Sequence, residues 1–326
     1  MPIETDNLKN KLKLLLKDPQ KHTEALILLF QLIEKLKHTR ISEAWSLANE
    51  ALSMAQQQKN NQQTANAHLA IAESSWKMAQ FSMAVDHYEA ALHIYLELQD
   101  ELGIAKCYNG MGIVAGETDE LERALECFEQ PMRYQNTISD SEWAAVLTGN
   151  IGHTNLKLQR FEEAMECFEH ALEKYTASGN QEGMATMLGG MAGVHVHRQE
   201  YDKALELLKK VKELISLKEP GRGMAVAMMN TGITLLRKGQ FNLAKQELEQ
   251  ALSLMEKIDF KAHQPEVLRN LMHACLELED TAEFDRYMQI YEEFRHEDII
   301  QQARDRHKRI IEFGNTQNQS IEQMLD

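Results

Sequence analysis

The sequence predicts an all-α fold: a right-handed superhelical solenoid of about seven antiparallel helix pairs, with a capping helix at each end. Three observations carry this prediction. Alanines recur every 40 residues, at Ala44, Ala84, Ala124, Ala164, Ala204 and Ala244. Around them runs an apolar pattern in steps of three, four and three: Ile41, Phe81, Leu121, Phe161, Tyr201 and Phe241 before each alanine, then Ala48, Tyr88, Phe128, Phe168, Leu208 and Leu248, then Ala51, Ala91, Pro131, Ala171, Val211 and Ala251. Those steps trace one face of a helix. Between these helices falls a second helix with small residues at matched positions, Ala72, Gly112, Gly152, Ala192 and Gly232, where two backbones can approach closely. A lone hairpin of this kind cannot bury its apolar face, so the units must stack, and an array of them favours binding over catalysis.

In chain order, residues 7–17 place Leu8, Leu12, Leu15 and Leu16 on one side of a short basic helix that Pro19 ends. That side suits a cap on the first hairpin, with a membrane-surface role as the alternative. Turn-forming stretches at 57–62, 99–103, 178–183 and 218–223 separate the units, with Gly103, Gly183 and Gly223 in 40-residue register. Glycine there can take a positive φ and stop a helix. Pro131 stands where the other units have alanine or valine and lacks an amide donor, which predicts a kink or early end near Gln130 and a long exit loop over 136–143. A degraded seventh copy keeps Thr281, Phe284, Met288 and Tyr291, and residues 285–313 can supply one or two closing helices. The division is therefore 1–22, a capping helix and linker; 23–296, the array; and 297–326, a C-terminal capping helix and tail.

The stretch from Asn150 to Leu172 combines a small residue at Gly152, aromatics at Phe161 and Phe168, and alanines at Ala164 and Ala171. In this it resembles the tetratricopeptide repeat (TPR) family, whose usual unit has about 34 residues. The 40-residue unit with an NxG in its first helix is similar to Pins-type G-protein-signalling adaptors and to arrays fused to sensory domains in bacterial regulators. The resemblance covers roughly residues 24–296. It implies a cytoplasmic scaffold for protein binding and signalling, with ligand-contacting side chains on a stripe along the concave side of the first helices.

Counted from Ala65, Ala105, Ala145, Ala185, Ala225 and Pro265, that stripe gives a candidate peptide-binding groove. It comprises Asn66, Leu69, Glu73, Trp76 and Lys77, then Lys106 and Asn109, then Asn150, His153 and Lys157, then His197. Met229, Asn230, Ile233 and Arg237 follow, with Arg269, Asn270 and His273 last. Asn150, Asn230 and Asn270 share one position; an amide donates to a peptide carbonyl and accepts from a peptide N–H, so a row of them suits an extended backbone. The alternative is that each amide caps or bridges neighbouring helices. Trp76 either anchors a ligand or packs between helices. The lysine and asparagine pattern of chaperone-binding TPR clamps is not reproduced.

Charge and motifs exclude other classes. A net charge of −15 argues against a nucleic-acid surface, and the basic run Arg304, Arg306, His307, Lys308, Arg309 is broken by Asp305. No apolar run reaches the length of a membrane span, and residues 1–17 lack the apolar core of a secretory signal, which predicts a soluble, cytoplasmic protein. Cys107, Cys127, Cys167 and Cys275 have neither a CxxC pair nor metal spacing and read as small buried hydrophobes. His195 and His197, two apart on a helix, point in different directions and cannot pair on a metal. The glycines at 189–193 lie inside a helix and form no phosphate loop, and no GxSxG or HExxH is present. Neither a cofactor nor a metal is expected.

The sequence thus predicts a non-enzymatic adaptor that binds a peptide or helix of a protein partner, without nucleic acid or membrane insertion and with self-association left open. The alternative is a sensory or regulatory module: a peptide-responsive array, or the sensor part of a larger bacterial signalling protein.

Overall fold

The computed structural model describes residues 2–15, 18, 21–37, 40–133, 142–215, 221–258, 260–261 and 263–295. Among them are fifteen α-helices and no strand. They are α1 (Pro2–Leu15), α2 (His22–Leu36), α3 (Ile41–Gln57), α4 (Asn61–Lys77), α5 (Phe81–Leu98), α6 (Glu101–Glu117), α7 (Leu121–Glu129), α8 (Glu142–Lys157), α9 (Phe161–Ser178), α10 (Gln181–His197), α11 (Tyr201–Ile215), α12 (Arg222–Arg237), α13 (Phe241–Lys257), α14 (Gln264–Glu277) and α15 (281–295). From α2 onward the even-numbered helices are the first of each hairpin and the odd-numbered ones the second. Two compact units divide the chain, Met1–Gly190 and Met191–Asp326, with the boundary inside α10.

The hairpins close by one repeated device. Ala79, Asp119, Gln159, Gln199, Gly239 and Glu279 have φ of 56, 63, 59, 60, 82 and 55°, a left-handed residue every 40 positions. The next amide in each case, from Gln80 to Asp280, donates to the carbonyl five residues back at 2.8–2.9 Å, satisfying a carbonyl the helix end would leave orphaned. Lys59, Gln99 and Gly179 repeat the turn between hairpins, halfway along the period, at φ 54, 57 and 71°.

The glycines expected to stop helices do something else. Gly103 and Gly183 lie in the first turns of α6 and α10 without a positive φ, and a Cβ on either would stand 2.4 Å from Cδ1 of Tyr95 or Tyr175. They are glycines because a ring at the end of the preceding helix lies against their backbone. The helices themselves start there, capped by Asp100 and Asn180, whose side chains accept the amides of Gly103 and Gly183 at 3.0 and 2.9 Å.

In the first unit, all the ladder alanines, Ala44, Ala84, Ala124 and Ala164, are fully buried. The small residues of the first helices meet the bulky residues of the second: a Cβ on Gly112 would stand 2.5 Å from Phe128, and one on Gly152 2.8 Å from Phe168. Leu12 and Leu15 of α1 enter the core of the first hairpin beside Leu29, Leu32 and Ala51, and Lys9 pairs with Glu43. At Pro131 the helix ends as expected: α7 stops at Glu129 and tightens into a 3₁₀ turn, Gln130–Arg133. The predicted exit loop is too long, because Glu142 and Trp143 already belong to α8. Trp143 packs with Phe128 and Leu147, and Glu142 is placed for favourable charge at a helix N-terminus.

In the second unit, Ala204 and Ala244 are again fully buried, and a Cβ on Gly232 would stand 2.5 Å from Cγ of Leu248. Lys212 pairs with Glu247 and Lys245 with Asp280, at 2.9 and 2.7 Å, between successive second helices. The last copy departs from its register: Met288 is 41% exposed, whereas Tyr287 is buried and donates its hydroxyl to Glu249 at 2.8 Å. Leu16, Pro19, residues 136–141 and the whole of 297–326, with its basic run, lie outside the described residues.

Two substitutions separate the contributions of turn and contact. Gln159→Gly relieves a left-handed side-chain residue and should raise stability by up to about 1 kcal/mol, net of the greater freedom it gives the unfolded chain. Gly152→Ala gains about 1 kcal/mol of helix propensity but drives a methyl into the buried Phe168 ring, and the ~1–3 kcal/mol overpacking cost should win. Urea unfolding followed by circular dichroism reads both, as opposite shifts of midpoint.

Candidate functional site

In the first unit, α4, α6 and α8 bring together the candidate residues from Asn66 to Lys157, and polar bonds between successive first helices, α2 included, tie them. Lys77 Nζ donates to the carbonyl of Lys37 at 3.0 Å, and Lys157 Nζ to that of Gly116 at 3.0 Å. Each ammonium thus sits on a carbonyl at the C-terminal end of the preceding first helix, where orphaned acceptors and the helix dipole favour a cation. Asn150 Nδ2 donates to Asn109 Oδ1 at 2.7 Å. This is the bridging role; it leaves Asn150 its carbonyl oxygen and one N–H for anything else.

Burial raises the pKa of Glu73, while Lys37, Lys77 and Lys106 pull it back and Glu34 raises it. Yet none of these lysines binds it: Lys37 pairs with Glu34 at 2.6 Å, Lys77 holds the carbonyl, and Lys106 stands 6.0 Å from the centre of the Trp143 ring. Among the described residues Glu73 makes no hydrogen bond, and its half-buried carboxylate keeps its acceptor capacity for a donor from outside. Asn66 accepts the Tyr95 hydroxyl at 2.7 Å. Leu69 belongs to the buried core with Ala72 and Tyr88, and Trp76 packs against that core, so neither is a free groove side chain. His153 stacks edge-on against Phe168, ring centres 4.8 Å apart, and burial, with a smaller contribution from Lys157, lowers its pKa to about 4.

In the second unit, His197 is exposed at the end of α10. Met229 is buried in the core with Leu248 and Leu268 and leaves the groove list, and Ile233 packs against the same core. Asn270 donates to the backbone carbonyl of Glu266 at 2.8 Å, along its own helix. The Asn230 side chain makes no hydrogen bond among the described residues. Arg237 and Arg269 are exposed, and exposed His273 stands 3.6 Å from Glu277. The asparagine row is thus divided, Asn150 in one unit and Asn230 and Asn270 in the other.

Sequence reasoning missed Trp143 and Lys37. Trp143 falls in the stretch 136–143 that reads as a loop, although it belongs to α8. Lys37 stands 40 residues before Lys77 and shares its last-turn position with Lys157 and Arg237, a register that could have revealed the lysine-to-carbonyl ties. Among the described residues no group of three or more histidine, cysteine, aspartate or glutamate side chains could hold a metal, and no helix is long and apolar enough to cross a membrane.

The repeated hairpins, their left-handed turns and the small-to-bulky contacts define an all-α helical-repeat protein. Models of the tetratricopeptide repeat match residues 183–257 and 149–173, and the chain is a TPR-type repeat protein. A model of the soluble NSF attachment protein, SNAP, matches residues 14–145. Among solved structures, the apo form of the quorum sensor NprR from B. thuringiensis is similar at 19% identity and TM-score 0.71, over 90% of this chain and 83% of that one. Apo RapI is similar at 18% identity and TM-score 0.63, over 82% and 96%. A Rap protein complexed with Competence and Sporulation Factor is similar at 15% identity and TM-score 0.63, over 83% and 75%. A search of curated proteins finds no significant match.

The depressed pKa of His153 makes stability pH-dependent in a defined direction. The unfolded chain takes up a proton near 6.5, whereas the folded imidazole resists it until about 4. Its contribution is therefore complete above pH 6.5 and is lost as pH falls towards 4. Unfolding midpoints of wild type and His153→Gln across this range should converge in slope above pH 6.5, with the wild type alone losing about 3 kcal/mol more below it.

Proposed function

We propose that the first-helix face formed by α4, α6 and α8 binds a peptide or helix of a protein partner, and that the chain acts as a non-enzymatic adaptor. The observation that carries this is Glu73: a half-buried carboxylate in the face, with lysines nearby that are all engaged elsewhere, and itself without a donor. A bound peptide supplies N–H donors to it, while the remaining capacity of Asn109 and Asn150 and the Lys106 ammonium beside Trp143 meet peptide carbonyls. Polar groups of both signs and an aromatic suit a main chain better than any one small ion.

A second reading, a sensory or regulatory module, draws support from the fold-level likeness to NprR, titled a quorum sensor, and to a Rap protein solved with Competence and Sporulation Factor. In that case ligand binding alters the arrangement of the hairpins.

One pair of measurements tests both. Partners captured on the immobilised full-length chain should be lost on Glu73→Gln and on the Asn109→Ala, Asn150→Ala double variant; capture equal to wild type by both variants removes the groove. With a bound peptide in hand, small-angle scattering should show an unchanged radius for an adaptor and a ligand-dependent one for a sensor.

A further inference from the structure

Leu28 of α2 and Leu47 of α3 both join the core of the first hairpin. One repeat later, in α4 and α5, the same positions hold His68 and His87. At no other step of 40 residues does either position carry a histidine. Where the first hairpin has core leucines, this one has two imidazoles whose Nδ1 atoms stand 2.9 Å apart, with ring centres 5.1 Å apart and planes inclined at 39°.

Both rings are partly buried, and burial lowers both pKa values, with His87 adding to the fall at His68 and Asp86 opposing it at His87. Near neutral pH both imidazoles are therefore largely uncharged. Two neutral imidazoles can share one proton, or both can offer lone pairs to a single cation. Nitrogens bound to a metal at about 2.0–2.1 Å and at a right angle to each other lie roughly 2.9 Å apart. The separation is thus the bite of two adjacent positions in a tetragonal site, the geometry of Cu²⁺ and Ni²⁺.

We propose that His68 and His87 form a two-imidazole chelate for a late first-row divalent cation, with Cu²⁺ bound most tightly. No third side chain among the described residues completes a cluster, so water fills the other positions and the ion exchanges readily. The bound ion clamps α4, which carries Glu73, to α5. The site stands apart from the groove reading: His68 lies outside the stripe of candidate groove residues, and either can fail without the other.

Full-length protein stripped with a chelator and then freed of it is titrated with Cu²⁺, and separately with Zn²⁺, by calorimetry, visible absorption and thermal melting. The His68→Leu, His87→Leu double variant restores the pair that the first hairpin already uses, and His87→Gln keeps a hydrogen-bonding partner for His68 while removing the chelate. Wild type should take one equivalent of Cu²⁺ at least about ten-fold more tightly than either variant, and more tightly than Zn²⁺. Its melting midpoint should rise with Cu²⁺ while those of the variants stay in place. Equal stoichiometry and affinity in wild type and both variants would overturn the proposal and leave a hydrogen-bonded pair only.

Discussion

The closeness of the two helices in each hairpin is the constraint on which the other features rest. It is set where a residue with little or no side chain on the first helix receives a bulky one from the second: Gly112 and Phe128, Gly152 and Phe168, Gly232 and Leu248. With those backbones close, the partner alanines, such as Ala124 and Ala164, have no room for a larger side chain and are fully buried. A turn of three residues is then long enough to join the helices, provided one residue adopts a left-handed conformation, and the strain of about 1–2 kcal/mol at non-glycine positions such as Gln159 is carried by the packing around it. The Tyr95 and Gly103 contact extends the same logic from one hairpin to the next.

Much of this is legible in the sequence, and the reason is physical. Buried packing positions admit few residue types, so a 40-residue period survives at Ala44 through Ala244 even as surface residues drift. The turn residues are less legible, because Ala79, Asp119, Gln159 and Gln199 carry no glycine signal; tertiary packing imposes φ there against local preference. Gly103 and Gly183 mislead in the opposite sense, since a glycine required by an adjacent ring has the same letter as one required by a turn. In the last copy the pattern continues to Met288, but the core takes Tyr287, whose hydroxyl reaches Glu249; one residue along a helix turns the side chain by about 100°.

The candidate site was legible as a stripe and not as a set of interactions. Helical periodicity places Asn66, Glu73, Lys77, Asn150 and Lys157 on their helices, but it does not reveal that Lys77 and Lys157 hold backbone carbonyls of the preceding first helix or that Asn150 holds Asn109. These bonds span 40 or 41 residues, so they depend on how hairpins stack, and no single repeat contains both partners.

The same bonds bear on what a ligand could do to the first unit. A group that recruits Asn150 or Lys157 competes with a bond between successive first helices, each worth on the order of 1 kcal/mol net, and must replace it to gain affinity. A ligand that uses only the unspent capacity of Asn150 and the donor-free Glu73 adds bonds without breaking any, and leaves the stacking as it was. A ligand that takes the Lys157 ammonium or the Asn150 amide from its neighbour loosens that stacking, and by linkage anything that shifts the stacking changes its affinity equally. Adaptor and sensor behaviour therefore differ, on this face, by which side of the amide and which of the cations the ligand engages, and both could be built on the same repeated hairpins.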